Sequence, residues 1–235
     1  MPHGSEKPLV LIAGGSSAAG IATASALLGA GMRVLTVGSD ADRIRAAADA
    51  AGPAVVPLVC DLADPVDVAR LAEVVHRDFG PLDGLIQLVG GWRGGKGIAG
   101  QSDEDWDVLH RNVLTTLRNT SRAFYADLDD SAAGRLVIVS STSVTAPTAG
   151  NANYAAAKAA AEAWTQAVGQ GFASGTGRGA AVVLVVKALV DDGMRAASPE
   201  RSFPGFTGVA HLADTIVGLF TQPADAVNGA RIDLS

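Results

Sequence analysis

Within the stretch NANYAAAKAAAEAW, Asn151 to Trp164, a tyrosine stands four residues before a lysine in a run built mostly of alanine. On an α-helix, residues four apart share one face, so Tyr154 and Lys158 can point into the same space. A free phenol titrates near pH ~10 and holds its proton too tightly for acid–base work at neutral pH, whereas an ammonium beside it favours phenolate and lowers that value. The pair therefore has the parts of a proton donor and acceptor for an oxygen on a small molecule. Taken alone, it is also compatible with two polar residues on a bland helix. Upstream, Ser141 ends the apolar run GRLVIVSS and places a hydroxyl thirteen residues before Tyr154.

Such side chains need a frame. Short β-rich runs, LVLIA, RVLTV, AVVPLV, DGLIQLV, GRLVIVS, AAVVLVV and ARIDL, alternate with longer segments of helical apolar spacing. That order predicts an α/β chain with a doubly wound, mostly parallel, seven-stranded sheet covered by helices on both faces. Ligands then bind beyond the carboxyl ends of the strands, where the strand order reverses. A length of 235 residues suits one domain, expected over residues 8–235, with residues 1–7 as a frayed end. The glycine-rich stretch Gly90 to Gly100 reads as a loop over the crevice, and Leu189 to Phe206, with two prolines and little periodicity, as a mobile lid.

The first strand runs into AGGSSAAGIATASALLGAG, a glycine-rich turn followed by a good helix. Small residues let the backbone approach a pyrophosphate, and the free amides of a helix start attract its charge, so a dinucleotide is the natural ligand. A tight turn without a nucleotide is the alternative.

Ala13 to Gly20 resembles the Thr-Gly-x-x-x-Gly-x-Gly loop of the short-chain dehydrogenase/reductase family, with Gly14 and Gly20 at its first and last glycines. Ala13 and Ala18 stand where the family has threonine and the middle glycine. The resemblance implies a three-layer Rossmann-type fold, and a reaction that moves hydride between a nicotinamide and a carbonyl or alcohol substrate. It implies that Tyr154 exchanges the proton, Lys158 holds the nicotinamide ribose and tunes the phenol, Ser141 hydrogen-bonds the reacting oxygen, and Asn112 bends its helix and supports a water relay. The implied cofactor residues are Gly14, Ser16, Ser17, Gly20, Ile21, Ser39, Asp61, Leu62 and Gly90, with Tyr154 and Lys158; Asp61 takes the adenine amino group. Gly38 and Ser39 end the second strand, Asp40 follows and Arg43 lies in the next helix, which favours NADP(H) over NAD(H).

The resemblance has departures. Gln87, Leu88 and Val89 precede Gly90 where the family often has Asn-Asn-Ala, Lys187 and Ala188 replace Pro-Gly, and Asp191 and Asp192 stand near its threonine. GGWRGG, Gly90 to Gly95, is similar to a short segment of dihydropteridine reductases. These departures leave a second reading open, a nucleotide-binding or interaction module of the same fold with little turnover. Trp92, Met194, Phe203 and Phe206 are candidates for an apolar substrate pocket. The alanine-rich helix suits close subunit contact, and the family implies a homodimer or homotetramer.

A net charge of −6 and a pI near 5.1 argue against nucleic-acid binding. No apolar run has membrane-spanning length. His3, His76, His110 and His211 lack metal-ligand spacing, so no metal site is expected. Cys60 is the single cysteine, expected buried and inert, and with no secretory signal core in the opening residues it suggests a cytoplasmic protein.

Overall fold

The computed structural model describes residues 7–235. The expected N-terminal extension, His3 included, lies outside them apart from Lys7. Apolar strands alternating with helices fold as the sequence pattern demands: β1 (Leu9–Ala13), α1 (Ala18–Gly29), β2 (Arg33–Gly38), α2 (Ala41–Ala51), β3 (Val55–Val59), α3 (Pro65–Asp78) and β4 (Gly84–Gln87) form the first half. The second half holds α4 (Asp103–Leu109), α5 (Thr116–Ala123), α6 (Tyr125–Asp130), β5 (Arg135–Ser141), α7 (Ala152–Ser174) and β6 (Ala180–Val186). It ends with β7 (Leu189–Val190), α8 (Asp192–Ala197), β8 (Thr207–Gly208), α9 (Val209–Leu219), α10 (Ala224–Val227) and β9 (Arg231–Asp233).

The main sheet has seven strands in the order β3-β2-β1-β4-β5-β6-β9, and every pairing is parallel. Because side chains alternate across a strand, β1 sends Leu9, Leu11 and Ala13 to one core and Val10 and Ile12 to the other. The first core packs under α3, α5 and α7 through Val75, Leu117, Ala157 and Phe172; the second packs under α1, α2 and α9 through Leu27, Ala48 and Ile216. The result is the expected three-layer, Rossmann-type sandwich. All seven residues of β6 are buried, each large apolar side chain contributing about 1.5–3 kcal/mol by leaving water.

Two features differ from the sequence expectation. The segment from Leu189 to Phe206, read as aperiodic, holds β7 and α8, and β7 pairs with β8 in a second, two-stranded sheet. Its order depends on tertiary pairing, Leu189 with Thr207 and Val190 with Gly208, which leaves no periodic trace. The helix between α4 and α5 passes through a π-helical turn at His110–Thr115, which contains Asn112. No helix among the described residues is long and apolar enough to cross a membrane, and no group of three or more potential metal ligands occurs among them.

Candidate active site

The strand order reverses between β1 and β4, and the turn after β1 lies against the residues after β4. Gly14 adopts φ +84°, and a Cβ there would stand 2.9 Å from the Leu88 carbonyl carbon and the Val89 nitrogen. A Cβ on Gly20 would meet the Gly15 carbonyl oxygen at 2.6 Å. The turn thus needs glycine at both positions to close on itself. Ser17 caps α1: its hydroxyl accepts from the Gly20 amide and donates to the Gly14 carbonyl, both at 3.0 Å. The helix therefore begins at Ala18, with its first-turn amides facing the crevice end of the sheet. Ile21 packs against the second core and lines neither cavity described below; its amide is bonded to the Ser17 carbonyl.

Two adjoining cavities follow the carboxyl ends of the strands. The larger, about 480 Å³, is lined by Ser17 to Ala19 from the glycine-rich turn, Gln87 to Trp92 after β4, Ser141, Tyr154 and Lys158. Lys187, Asp191 and Met194 complete its far wall. The smaller, about 350 Å³, holds Gly14, Ser16, Ser39, Arg43, Cys60, Asp61, Leu62, Arg111 and Asn112 among its lining. Val89 lines both. The structure therefore brings Ser141, Tyr154 and Lys158 into one space, and places Asn112 in the neighbouring one.

The pair on α7 is set by burial. Lys158 is 7% exposed and its ammonium donates to the Val139 carbonyl at 2.7 Å. Its nitrogen lies 5.9 Å from the centroid of the Tyr154 ring. Burial pushes the lysine down to about 8, with Glu162 pulling in the opposite direction. Burial also pushes the Tyr154 phenol above its ordinary value, and the Ser141 hydroxyl beside it works to lower it. This differs from the spacing argument, in which Lys158 lowers the phenol. A buried ammonium directed at a backbone carbonyl exerts less of its field on the ring, and desolvation outweighs it.

Ser141 ends β5 in register with Val186, and its oxygen accepts from the Ser143 amide at 3.1 Å. Asn151 braces the following turn, donating to the Ser143 hydroxyl at 3.1 Å and accepting from the Thr148 amide at 2.7 Å. Gln101 joins the glycine-rich loop to the start of α7, donating to the carbonyls of Gly97, Ala149 and Gly150 and accepting from the Asn153 amide. Gly90, Gly91 and Trp92 of that loop reach the larger cavity, and Trp92 is 64% exposed. Met194 lines the cavity as expected. Phe203 and Phe206 do not, packing edge to face on each other at 5.5 Å.

Several site residues had no signal as such in the sequence. Gln87, visible there only as a departure, donates to the Thr116 hydroxyl at 2.8 Å, and that hydroxyl donates to the Asn112 carbonyl at 2.6 Å. The Asn112 carbonyl is thereby fixed inside the π-helical turn, a geometry frequent at functional sites. Asp61 pairs with Arg111 at 2.6 Å and accepts from the Ala63 amide at 3.0 Å. Its carboxylate thus holds its own loop and a cation that the sequence places 50 residues away. Leu62 is buried at the cavity wall. The Cys60 thiol is buried and pushed up to about 12, chiefly by burial and then by the neighbouring carboxylates, so it is inert as a nucleophile.

At the end of β2, Asp40 caps α2, accepting from the amides of Asp42 at 3.1 Å and Arg43 at 2.9 Å. Its charge is turned to the helix start, while Ser39 and Arg43 line the smaller cavity. Asp191 likewise caps α8, accepting from the Met194 amide at 2.7 Å, and remains in the wall of the larger cavity.

Comparison with known proteins shows the family and the fold. The 3-oxoacyl-(acyl-carrier-protein) reductase of Salmonella typhimurium is 24% identical over 239 residues, covering 98% of this chain and 96% of that protein. The 2,3-dihydro-2,3-dihydroxybenzoate dehydrogenase of Bacillus subtilis is 27% identical over 169 residues, 71% of this chain and 64% of its own. The NADPH-bound structure of a short chain oxidoreductase from Pseudomonas aeruginosa, described as containing an atypical catalytic center, superposes with a TM-score of 0.85. It is 23% identical and the match covers 97% of this chain and 95% of that one, which shows the shared fold. The family model described as short chain dehydrogenase matches residues 8–201. With most of its length matched by that model, the chain belongs to the short-chain dehydrogenase family of oxidoreductases.

Proposed function

We propose that the protein interconverts a small-molecule carbonyl and its alcohol, with NADP(H) as the hydride carrier in preference to NAD(H). The observation that carries this reading is the meeting of Ser141, Tyr154 and Lys158 in one cavity whose opposite end is the capped glycine-rich turn. That turn fits a pyrophosphate: glycines stand where a Cβ would collide with backbone, and α1 starts at the cavity wall. Gly14, Ser16 and Ser17 would hold the pyrophosphate end, with Gly20 letting the turn close and Ile21 packed behind it against the core; Ser39, Asp61 and Leu62 would hold the adenosine, and Gly90, Tyr154 and Lys158 the nicotinamide ribose. The nicotinamide, when bound, supplies or accepts the hydride.

The chain supplies the rest. In the reducing direction the Tyr154 hydroxyl gives its proton to the carbonyl oxygen as that oxygen gains charge, and the Ser141 hydroxyl donates a hydrogen bond to the same atom. Lys158 stabilises the phenolate left behind. The phenol's raised value in the free site suits a group that waits protonated. Arg43 offers the charge for a 2′-phosphate at the smaller cavity, whereas Asp40 is directed at the start of α2 and does not line that cavity. The exposed alanine stripe of α7, Ala156, Ala159, Ala163 and Ala167, suits the close approach of a second copy in a homodimer or homotetramer.

Replacing Tyr154 by Phe is expected to lower turnover about 10²- to 10⁴-fold while NADPH affinity stays within about twofold. Turnover retained by Tyr154→Phe would remove the proton-transfer assignment. Arg43→Ala is expected to cut the preference for NADPH over NADH about tenfold, the loss of one charge-assisted hydrogen bond. A ratio of kcat/KM values unchanged by that substitution would place the 2′-phosphate elsewhere.

A further inference from the structure

Glu162 lies one turn beyond Lys158 on α7, and its side chain is only 13% exposed. Three groups converge on it or beside it. The buried Ser140 hydroxyl, adjacent to Ser141, donates to one carboxylate oxygen at 2.5 Å. Arg231 of β9 donates to the other at 3.0 Å and to the first at 3.4 Å. The Lys158 ammonium is bonded to Val139, the residue before Ser140. A largely buried carboxylate costs stability unless it is paired and hydrogen-bonded, as this one is by Arg231 and Ser140. Its place here makes a row of alternating charge, Lys158, Glu162 and Arg231, running from the cavity to the sheet's edge strand.

We propose that Glu162 is a positioning residue for proton transfer: it sets the field felt by Lys158 and Tyr154 and anchors the β5 end that carries Ser141, with Arg231 moderating its charge. This rests on the Tyr154–Lys158 reading above. The groups around the pair are Glu162 on α7, the Val139 carbonyl and Ser141 on β5, and Arg231 on β9 through Glu162, with Lys187 and Asp191 in the lining of the same cavity. A negative charge holds protons on both members of the pair. Its removal therefore lowers the titration of ammonium and phenol together, while removal of Arg231 raises it. A role confined to packing predicts no such opposed shifts.

The chain has two tyrosines, so the phenolate absorbance of the protein minus that of Tyr154→Phe isolates Tyr154 from Tyr125. This titration needs neither substrate nor cofactor. Glu162→Gln is expected to shift it about one pH unit down, and Arg231→Gln about half a unit up; the alkaline limb of turnover should follow in the same directions. Shifts below about 0.2 unit in both variants, or shifts of the same sign, overturn the proposal. If Glu162→Gln does not fold, Arg231→Gln decides alone: an upward shift supports the proposal and none refutes it. Full turnover in Tyr154→Phe would sink the catalytic reading, yet the absorbance titration would still test the role of Glu162.

Discussion

The two walls of the larger cavity are built on different principles. The wall made by β5, α7 and the turns between them is held from within, Lys158 by a backbone carbonyl, Ser140 by Glu162 and Ser143 by Asn151, and α7 buries Ala157, Ala161 and Phe172 in the core. The opposite wall, Lys187 to Phe206, is held by exposed cations over rings: Lys187 at 5.9 Å and Arg201 at 5.9 Å from the Phe206 centroid, with Arg195 at 5.7 Å and Arg201 at 5.1 Å from that of Phe203. Lys187 also donates to the Pro204 carbonyl at 3.0 Å, and the Thr207 amide bonds to Ala188. The groups proposed to take part in the reaction sit on the first wall. The second wall departs most from the family pattern and can change without disturbing them.

Lys158→Met gives the sharpest test of that contrast. Turnover should fall at least about 10²-fold, yet the fold should gain on the order of 3 kcal/mol at neutral pH, less the loss of the hydrogen bond to the Val139 carbonyl, because a disfavoured buried charge is gone. The folded value near 8 lies below the ordinary 10.5, so the unfolded chain binds the proton more tightly. The wild-type deficit is complete below pH 8 and disappears as pH rises to 10.5. Denaturant unfolding at pH 7 and pH 10 should show the variant's advantage shrinking; an advantage independent of pH would break the comparison.

On the loose wall the expected effects are smaller. Asp191→Asn keeps the cap of α8, since asparagine serves there as well as aspartate, but removes a negative charge from the cavity. NADPH should bind several-fold more tightly, whereas Asp191→Ala should lose both charge and cap. Equal affinities in wild type and Asp191→Asn would show that the carboxylate is fully directed to its helix. Smallest of all, Phe206→Ala removes the ring under Lys187 and Arg201 and should cost under about 1 kcal/mol of stability. It should alter KM for substrate more than kcat. A large fall in kcat would mean that the second wall shares in the chemistry.

What the sequence disclosed follows the same division. β1 and β6 match their apolar runs residue for residue because strands buried on both faces carry an uninterrupted signal. Tyr154 and Lys158 were legible as a pair because helix geometry turns a spacing of four into a shared face, whereas Ser141 was singled out only through the family resemblance. β7 and α8 were not, since two-residue pairing and a short capped helix depend on what the rest of the chain places nearby. Arg111 with Asp61, and Arg231 with Glu162, are joined across 50 and 69 residues. No local pattern encodes such partners, whereas the π-helical turn falls at Asn112, where the resemblance implies a bent helix.

Val89, lining both cavities, has a further consequence. A dinucleotide engaging both chambers behaves as a bivalent ligand whose halves are tethered across a single side chain. Each half alone forgoes the effective concentration that the tether confers, of millimolar order for short linkers. Mononucleotide fragments should therefore compete poorly even when present together, and substitutions at Val89 should weaken the intact ligand far more than either fragment.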